Sequence, residues 1–165
     1  MVIAMNFDEF KKLWEKEGKN EAGAIKCLLI AVLETFKENN PDGKKMWGMV
    51  LPKDQLTPQG EPGTQHKIAM NQFGQTVPGT DFKGGIAASY LGGTPANKYK
   101  PDYKASITLL PSSKRGEKDS KVFVQSGGKD NPSPVQLRKN DEGYWKIFEY
   151  SSLYTGVKPI KSGDF

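Results

Sequence analysis

The chain has 165 residues, 24 Lys and Arg against 19 Asp and Glu, one His and one Cys, with a formal net charge of +5. That length suits one domain able to bury a core without metal or disulfide, and 3 Trp, 6 Tyr and 8 Phe argue against a disordered chain. A lone cysteine excludes an internal disulfide, one histidine with one cysteine excludes a structural zinc site, and no apolar run approaches the 18 or so residues of a membrane span.

In chain order, Asn6 followed by Glu9 has the form of a capping box, and Phe7, Phe10, Leu13 and Trp14 fall on one helical stripe that Gly18 would stop. Asn20 can cap a second helix, apolar nearly all round from Ala24 to Phe36, the pattern of a central core helix. It should end near Asn39-Asn40-Pro41, and Asn40-Pro41 can open a short third helix through Trp47.

Residues 52–103 hold 14 of the Gly and Pro residues and little periodicity, so they read as a long loop-rich segment. The spans 65–72 and 84–90 are its best short elements. His66 sits there in a loop-to-strand context and reads as a surface or strand residue rather than a general base. Gly92-Gly93-Thr94-Pro95 is a turn signal.

Strands come late. Ala105, Ile107 and Leu109 alternate, Val122 and Val124 oppose Phe123, Val135 and Leu137 follow a Pro132-Ser-Pro134 corner, and Trp145 and Ile147 alternate with Tyr144, Phe148 and Tyr150. Helices first and strands later predict an α+β fold. Two or three N-terminal helices (about 6–48) pack on a C-terminal, mostly antiparallel sheet (about 104–160), with the Gly/Pro-rich segment between, all in one domain over 1–165.

Few residues point to chemistry. Cys27 lies among leucines mid-helix, where a thiol behaves as a small hydrophobe. Ser126-Gly127-Gly128-Lys129-Asp130 follows a strand; the glycines can make a tight turn or an anion nest, the turn being the plainer reading. Glu149 suits an ion pair with Arg138 across the sheet, and Ser151 opens a turn or helix cap. No Gly-x-Ser-x-Gly elbow is present. The aromatic strand 144–150 with Lys139, Lys146 and Lys158 could stack bases, but alternating aromatics more often divide between core and surface.

The segments Leu91-Gly-Gly-Thr-Pro-Ala-Asn-Lys-Tyr-Lys-Pro-Asp102, Ser126-Gly-Gly-Lys-Asp-Asn-Pro-Ser-Pro134 with Leu137-Arg138, and Trp145 through Tyr150-Ser-Ser-Leu153 to Gly156-Val-Lys-Pro159 together resemble an uncharacterised bacterial family, a domain of unknown function. The resemblance spans roughly 90–160 and implies a bacterial single-domain protein with no assigned catalytic residues. The chain departs from that pattern at Lys129, where a small residue is usual, and at Ser133, where an arginine is usual.

These readings converge on a soluble, cytoplasmic, non-enzymatic binding or interaction domain without cofactor or metal. Its recognition surface is expected from the loops 92–102 and 126–134 and the turn after Tyr150, since recognition is commonly placed in loops. Ser126, Gly127, Gly128, Asp130, Arg138, Glu149 and Ser151 are the candidate binding residues; none is assigned a catalytic role. The expected partner is another protein or a small anionic ligand, with neither nucleic acid nor membrane favoured. The alternatives are an enzyme acting on a small polar or anionic substrate, with Ser126, Asp130, Arg138 and Glu149 around one pocket, and a basic nucleic-acid binder.

Overall fold

The structure, a computed structural model, describes residues 4–37 and 40–158. It is α+β, with helices in the N-terminal half and an antiparallel sheet on the C-terminal side. Helix α1 (Phe7–Glu17) begins with the expected capping box: Glu9 N–H donates to Asn6 Oδ1 at 2.8 Å and Asn6 N–H to Glu9 Oε1 at 3.1 Å. These bonds pair donors that a helix N-terminus otherwise leaves open. Its stripe buries Phe10 and Trp14.

Helix α2 (Glu21–Thr35) is the central element. Asn20 Oδ1 accepts from Gly23 N–H at 2.7 Å, and every residue from Leu28 to Glu34 is buried. Helices α1, α3 (Gly43–Met49) and α5 (Gly85–Ala88) pack on α2, as does the last strand of the sheet, β4 (Trp145–Glu149). The third helix starts later than Asn40-Pro41 suggests, because Asn40 Oδ1 accepts from Asp42 N–H at 3.1 Å and so holds a side-chain turn ahead of the helix. Asn39 lies outside the described residues.

The loop-rich middle contributes helices rather than strands. Thr64–His66 forms a 3-10 turn leading into α4 (Lys67–Phe73), so His66 sits at a helix start rather than before a strand. It is also buried, at 5% exposure, where the sequence suggests a surface residue.

The sheet runs β1 (Lys114–Arg115), β2 (Asp119–Val124), β3 (Ser133–Lys139), β4 (Trp145–Glu149), each antiparallel to its neighbour. Alternation is as expected: Val122, Val124, Val135, Leu137, Trp145 and Ile147 face the core. The anticipated strand at 105–109 is reduced to one bridge between Leu109 and Val124, with Leu110 N–H donating to Phe123 O at 2.9 Å. A turn just before it, in which Lys104 N–H donates to Asp102 Oδ1 at 2.9 Å, and Pro111 just after it leave too little extended backbone for a ladder.

Both sheet margins are managed. The outer N–H groups of β4 donate to helix-end carbonyls, Trp145 to Gly18 O and Ile147 to Val50 O, each at 2.9 Å. At the other margin β1 is two residues long and charged, and Arg115 forks onto the buried Glu21 carboxylate at 2.9 and 3.1 Å. Burial of Glu21 opposes its charge, but the Arg115 and Ser120 hydrogen bonds and its own backbone outweigh it and hold the carboxyl below its usual range.

A second buried carboxylate ties the helical half together. Glu34, fully buried on α2, accepts from Met5 N–H at 2.5 Å, Asn40 Nδ2 at 3.1 Å and Tyr103 O–H at 2.5 Å, and pairs with Lys37. Burial, then the Glu34 hydrogen bond and charge, push the Tyr103 phenol up.

Candidate functional site

Two clefts adjoin where the 52–55 segment faces the end of β4, and Gln55 and Phe148 line both. The larger, of about 540 Å³, lies between Pro52, Lys53 and Asp54 on one side and Arg138, Lys139, Lys146 and the β3–β4 turn at 140–142 on the other. The smaller, of about 260 Å³, is walled by Gln65, Glu149, Ser151 and Tyr154 and floored by His66 and Tyr150. Together they make one groove, with Lys53, Arg138, Lys139 and Lys146 set among Asp54, Asp141 and Glu142 at one end and Glu149 at the other.

The floor is fixed by hydrogen bonds whose direction can be assigned. His66 Nε2 lies 2.8 Å from Gln55 Oε1, an acceptor, so Nε2 carries the proton. Burial lowers the His66 pKa, the ring is neutral, and its bare Nδ1 accepts the Tyr150 hydroxyl proton at 2.7 Å. The Tyr150 oxygen in turn accepts from Trp47 Nε1–H at 3.3 Å. Tyr150 stacks on His66 at 5.6 Å and meets Tyr154 edge-on at 6.0 Å, so the floor is rigid and aromatic. Burial, the largest cause, pushes the Tyr150 phenol above its ordinary value.

A depressed histidine has a definite linkage sign. Between its folded pKa and about 6.5 the unfolded chain binds more protons, so stability rises with pH in that window. Lowering pH from about 7.5 to about 5 should therefore destabilise the protein, and His66→Gln should flatten that slope. Denaturant unfolding across the range checks this; an unchanged slope in the variant would show that His66 charges freely in the folded state.

At the rim, Glu149 Oε1 accepts from Ser151 N–H at 2.8 Å. The Ser151 hydroxyl and then its N–H hold the Glu149 carboxyl below its usual range, burial opposing. Glu149 thus caps the turn that follows β4 and is not the partner of Arg138. Arg138 instead donates to Asp119 Oδ1 at 2.7 Å and lies 5.2 Å over the Phe148 ring. The register explains this: Arg138 stands opposite Asp119 on β2 and Lys146 on β4, while Glu149 stands opposite Gln136.

At the larger cleft Lys146 reaches inward. Its ammonium donates to Met49 O and sits 5.3 Å over the Trp14 ring. Burial lowers its pKa; the charge of Glu142 opposes this and that of Lys53 reinforces it. Among the described residues neither Lys53 nor Lys146 forms an ion pair.

Of the candidate residues, Arg138, Glu149 and Ser151 line this groove. Ser126, Gly127, Gly128 and Asp130 stitch a different region. Ser126 Oγ donates to Ser89 Oγ at 2.8 Å and accepts from Gly128 N–H at 3.0 Å, while Gly127 N–H donates to Ser89 O at 2.6 Å. With both glycine N–H groups engaged, the segment is a packed turn and no anion nest. A Cβ on Gly127 would stand 2.3 Å from Gly93 O, so close backbone approach requires glycine there. Asp130 pairs with Lys158 at 2.5 Å on the surface. Beside this turn the Lys129 ammonium meets Ser133 Oγ at 2.6 Å, Thr155 Oγ1 at 2.7 Å, Ser152 O at 2.8 Å and the Tyr90 hydroxyl at 3.1 Å. Cys27 is fully buried, and burial, with the Glu17 charge adding to it and Lys26 opposing, pushes its thiol up to about 12.

Sequence reasoning missed His66, Gln55 and Tyr150 as a unit. They are 11 and 84 residues apart along the chain, and no local pattern joins them.

Fold and groove define an α+β domain with a mixed-charge polar groove beside the outer strand of an antiparallel sheet. The chain belongs to the family described as Domain of unknown function (DUF6935), whose model matches residues 2–161. No curated protein matches the chain, and no solved structure does. Among the described residues no helix is long and apolar enough to cross a membrane, and no cluster of three or more His, Cys, Asp or Glu could hold a metal ion.

Proposed function

We propose that this chain is a non-enzymatic binding domain that seats a carboxylate- or phosphate-bearing ligand, a small anion or an acidic segment of a partner protein, in the groove between the 52–55 segment and β4. The observation that carries the reading is the pair Lys53 and Lys146. Both ammonium groups line the larger cleft and neither is ion-paired among the described residues; Asp54, Asp141 and Glu142 share the cleft, and the Glu142 charge favours the Lys146 ammonium more than Lys53 opposes it. Like charges held together in a partly desolvated cleft are relieved by an incoming anion. Phe148, between the two clefts, offers an apolar wall, and Gln55, Gln65 and Ser151 offer hydrogen bonds beyond it. The engagement of both His66 nitrogens favours binding over proton transfer. The single buried cysteine suits a reducing compartment and, with the resemblance, supports a bacterial cytoplasmic protein.

The test is an amide-resolved NMR titration of the labelled protein with succinate, inorganic phosphate and a short acidic peptide. The expected shifts concentrate at 53–55 and 138–148 and vanish in Lys53→Gln/Lys146→Gln. If none of the three probes shifts those amides, or the double variant responds as the parent does, the groove is not an anion site.

A further inference from the structure

Lys129 stands outside the groove in a setting that anion binding does not explain. Its ammonium is half-buried and, among the described residues, has no carboxylate partner, yet four neutral oxygens surround it at 2.6 to 3.1 Å. The oxygens come from three stretches of the chain: Tyr90, Ser133, and Ser152 with Thr155. An ammonium has three N–H donors, so four acceptors exceed what simple hydrogen bonding needs.

The hydroxyl protons explain the arrangement. Tyr90 O–H donates to Leu153 O at 2.9 Å. Ser133 O–H and Thr155 O–H both donate to Ser152 O at 3.1 Å. With the Tyr90 proton on Leu153 O, the Ser133 hydroxyl lies 2.9 Å from the Tyr90 oxygen and 3.1 Å from Ser152 O and shares its proton between those two acceptors, so lone pairs of all three hydroxyls are left for Nζ. One side of the site is enclosed, with Tyr90 and Ser133 3% and 1% exposed and Leu153 fully buried, while Ser152 is half-buried and Thr155 exposed on the other. A compact set of neutral oxygens, all presenting lone pairs to one point, is what a desolvated monovalent cation requires.

We propose that these four oxygens form a monovalent-cation site, of the size that takes ammonium or potassium, which the chain fills with its own Lys129 ammonium. The tethered cation fastens the turn at Ser151–Tyr154 and the following Thr155 to the start of β3. Ser151 and Tyr154 of that turn wall the smaller cleft, so Lys129 is a positioning residue for the groove from outside it. The cation site stands on its own geometry, whether or not the groove takes an anion.

The experiment compares thermal unfolding of Lys129→Ala in ammonium, potassium and tetramethylammonium chloride at equal ionic strength. The expected result is a lowered midpoint in tetramethylammonium that climbs saturably with ammonium or potassium, as for a ligand bound only by the folded state, while the parent protein shows no such difference. Equal midpoints in the three salts would overturn the proposal, as would a Lys129→Met protein as stable as the parent. Should the alanine variant not fold in any of the salts, the parent decides: the Lys129 ammonium protons, observed by 15N-lysine NMR, should exchange far more slowly than those of exposed lysines. Exchange as fast as theirs would overturn the site.

Discussion

Replacing Glu34 with alanine is expected to cost about 3–5 kcal/mol, the range for removing one partner of a buried charge network. The carboxylate is the common acceptor for the Met5 backbone, Asn40 and Tyr103, and the partner of Lys37. Truncation leaves several donors facing a cavity at the C-terminal end of α2, where Glu34 itself is fully buried, and each donor left unmade carries its own desolvation penalty. For a chain of this length the loss corresponds to a fall in Tm of roughly 6–20 °C. Glu34→Gln keeps the shape and one acceptor and should fall between alanine and the parent. Equilibrium denaturant unfolding measures all three. A loss under about 1 kcal/mol for the alanine variant would mean that its neighbours find water or one another instead.

Trp47→Ala is expected to cost a similar amount, about 3–5 kcal/mol, through lost burial and the cavity it leaves. Trp47 is fully buried and meets Phe73 edge-on at 5.8 Å. It also feeds the groove floor, because its indole N–H donates to Tyr150, which donates to His66. Trp47→Phe separates the two contributions. It keeps most of the apolar volume and loses the hydrogen bond, worth about 1 kcal/mol net. The phenylalanine variant should stay folded yet shift the His66 ring resonances, since Tyr150 loses the donor that orients it. Unmoved His66 resonances would show that the Trp47 bond does not reach the groove.

The helices were legible because their signals are local. Asn6 with Glu9, and Asn20 before an apolar run, each specify a helix start within four residues, and both caps form as expected. The sheet was nearly as legible, since Val122, Val124, Val135 and Leu137 keep the two-residue period of a strand with one buried face. The segment at 105–109 shows the same period but meets a turn and a proline, and the backbone outranks the pattern. The groove was only partly legible. Arg138, Glu149 and Ser151 stand out as polar residues near the end of an aromatic strand. Lys53, Gln55 and His66 sit in single 3-10 turns of the Gly/Pro-rich segment, too short to leave a periodic signal and placed by long-range contacts. The Ser126–Gly128 turn drew notice for its glycines, but their cause is close approach of neighbouring backbone rather than a ligand.

The two sheet margins bear on how this protein behaves when crowded. A strand whose outward N–H groups already donate to helix-end carbonyls offers no rung for a second chain, and a two-residue charged strand offers too short a ladder to nucleate on. Cross-β growth from the native state would first require α1 and α3 to peel from β4 or the Glu21–Arg115 fork to open. Those helix ends therefore act as chaperoning elements built into the chain, guarding the aromatic strand 145–149 from pairing with copies of itself.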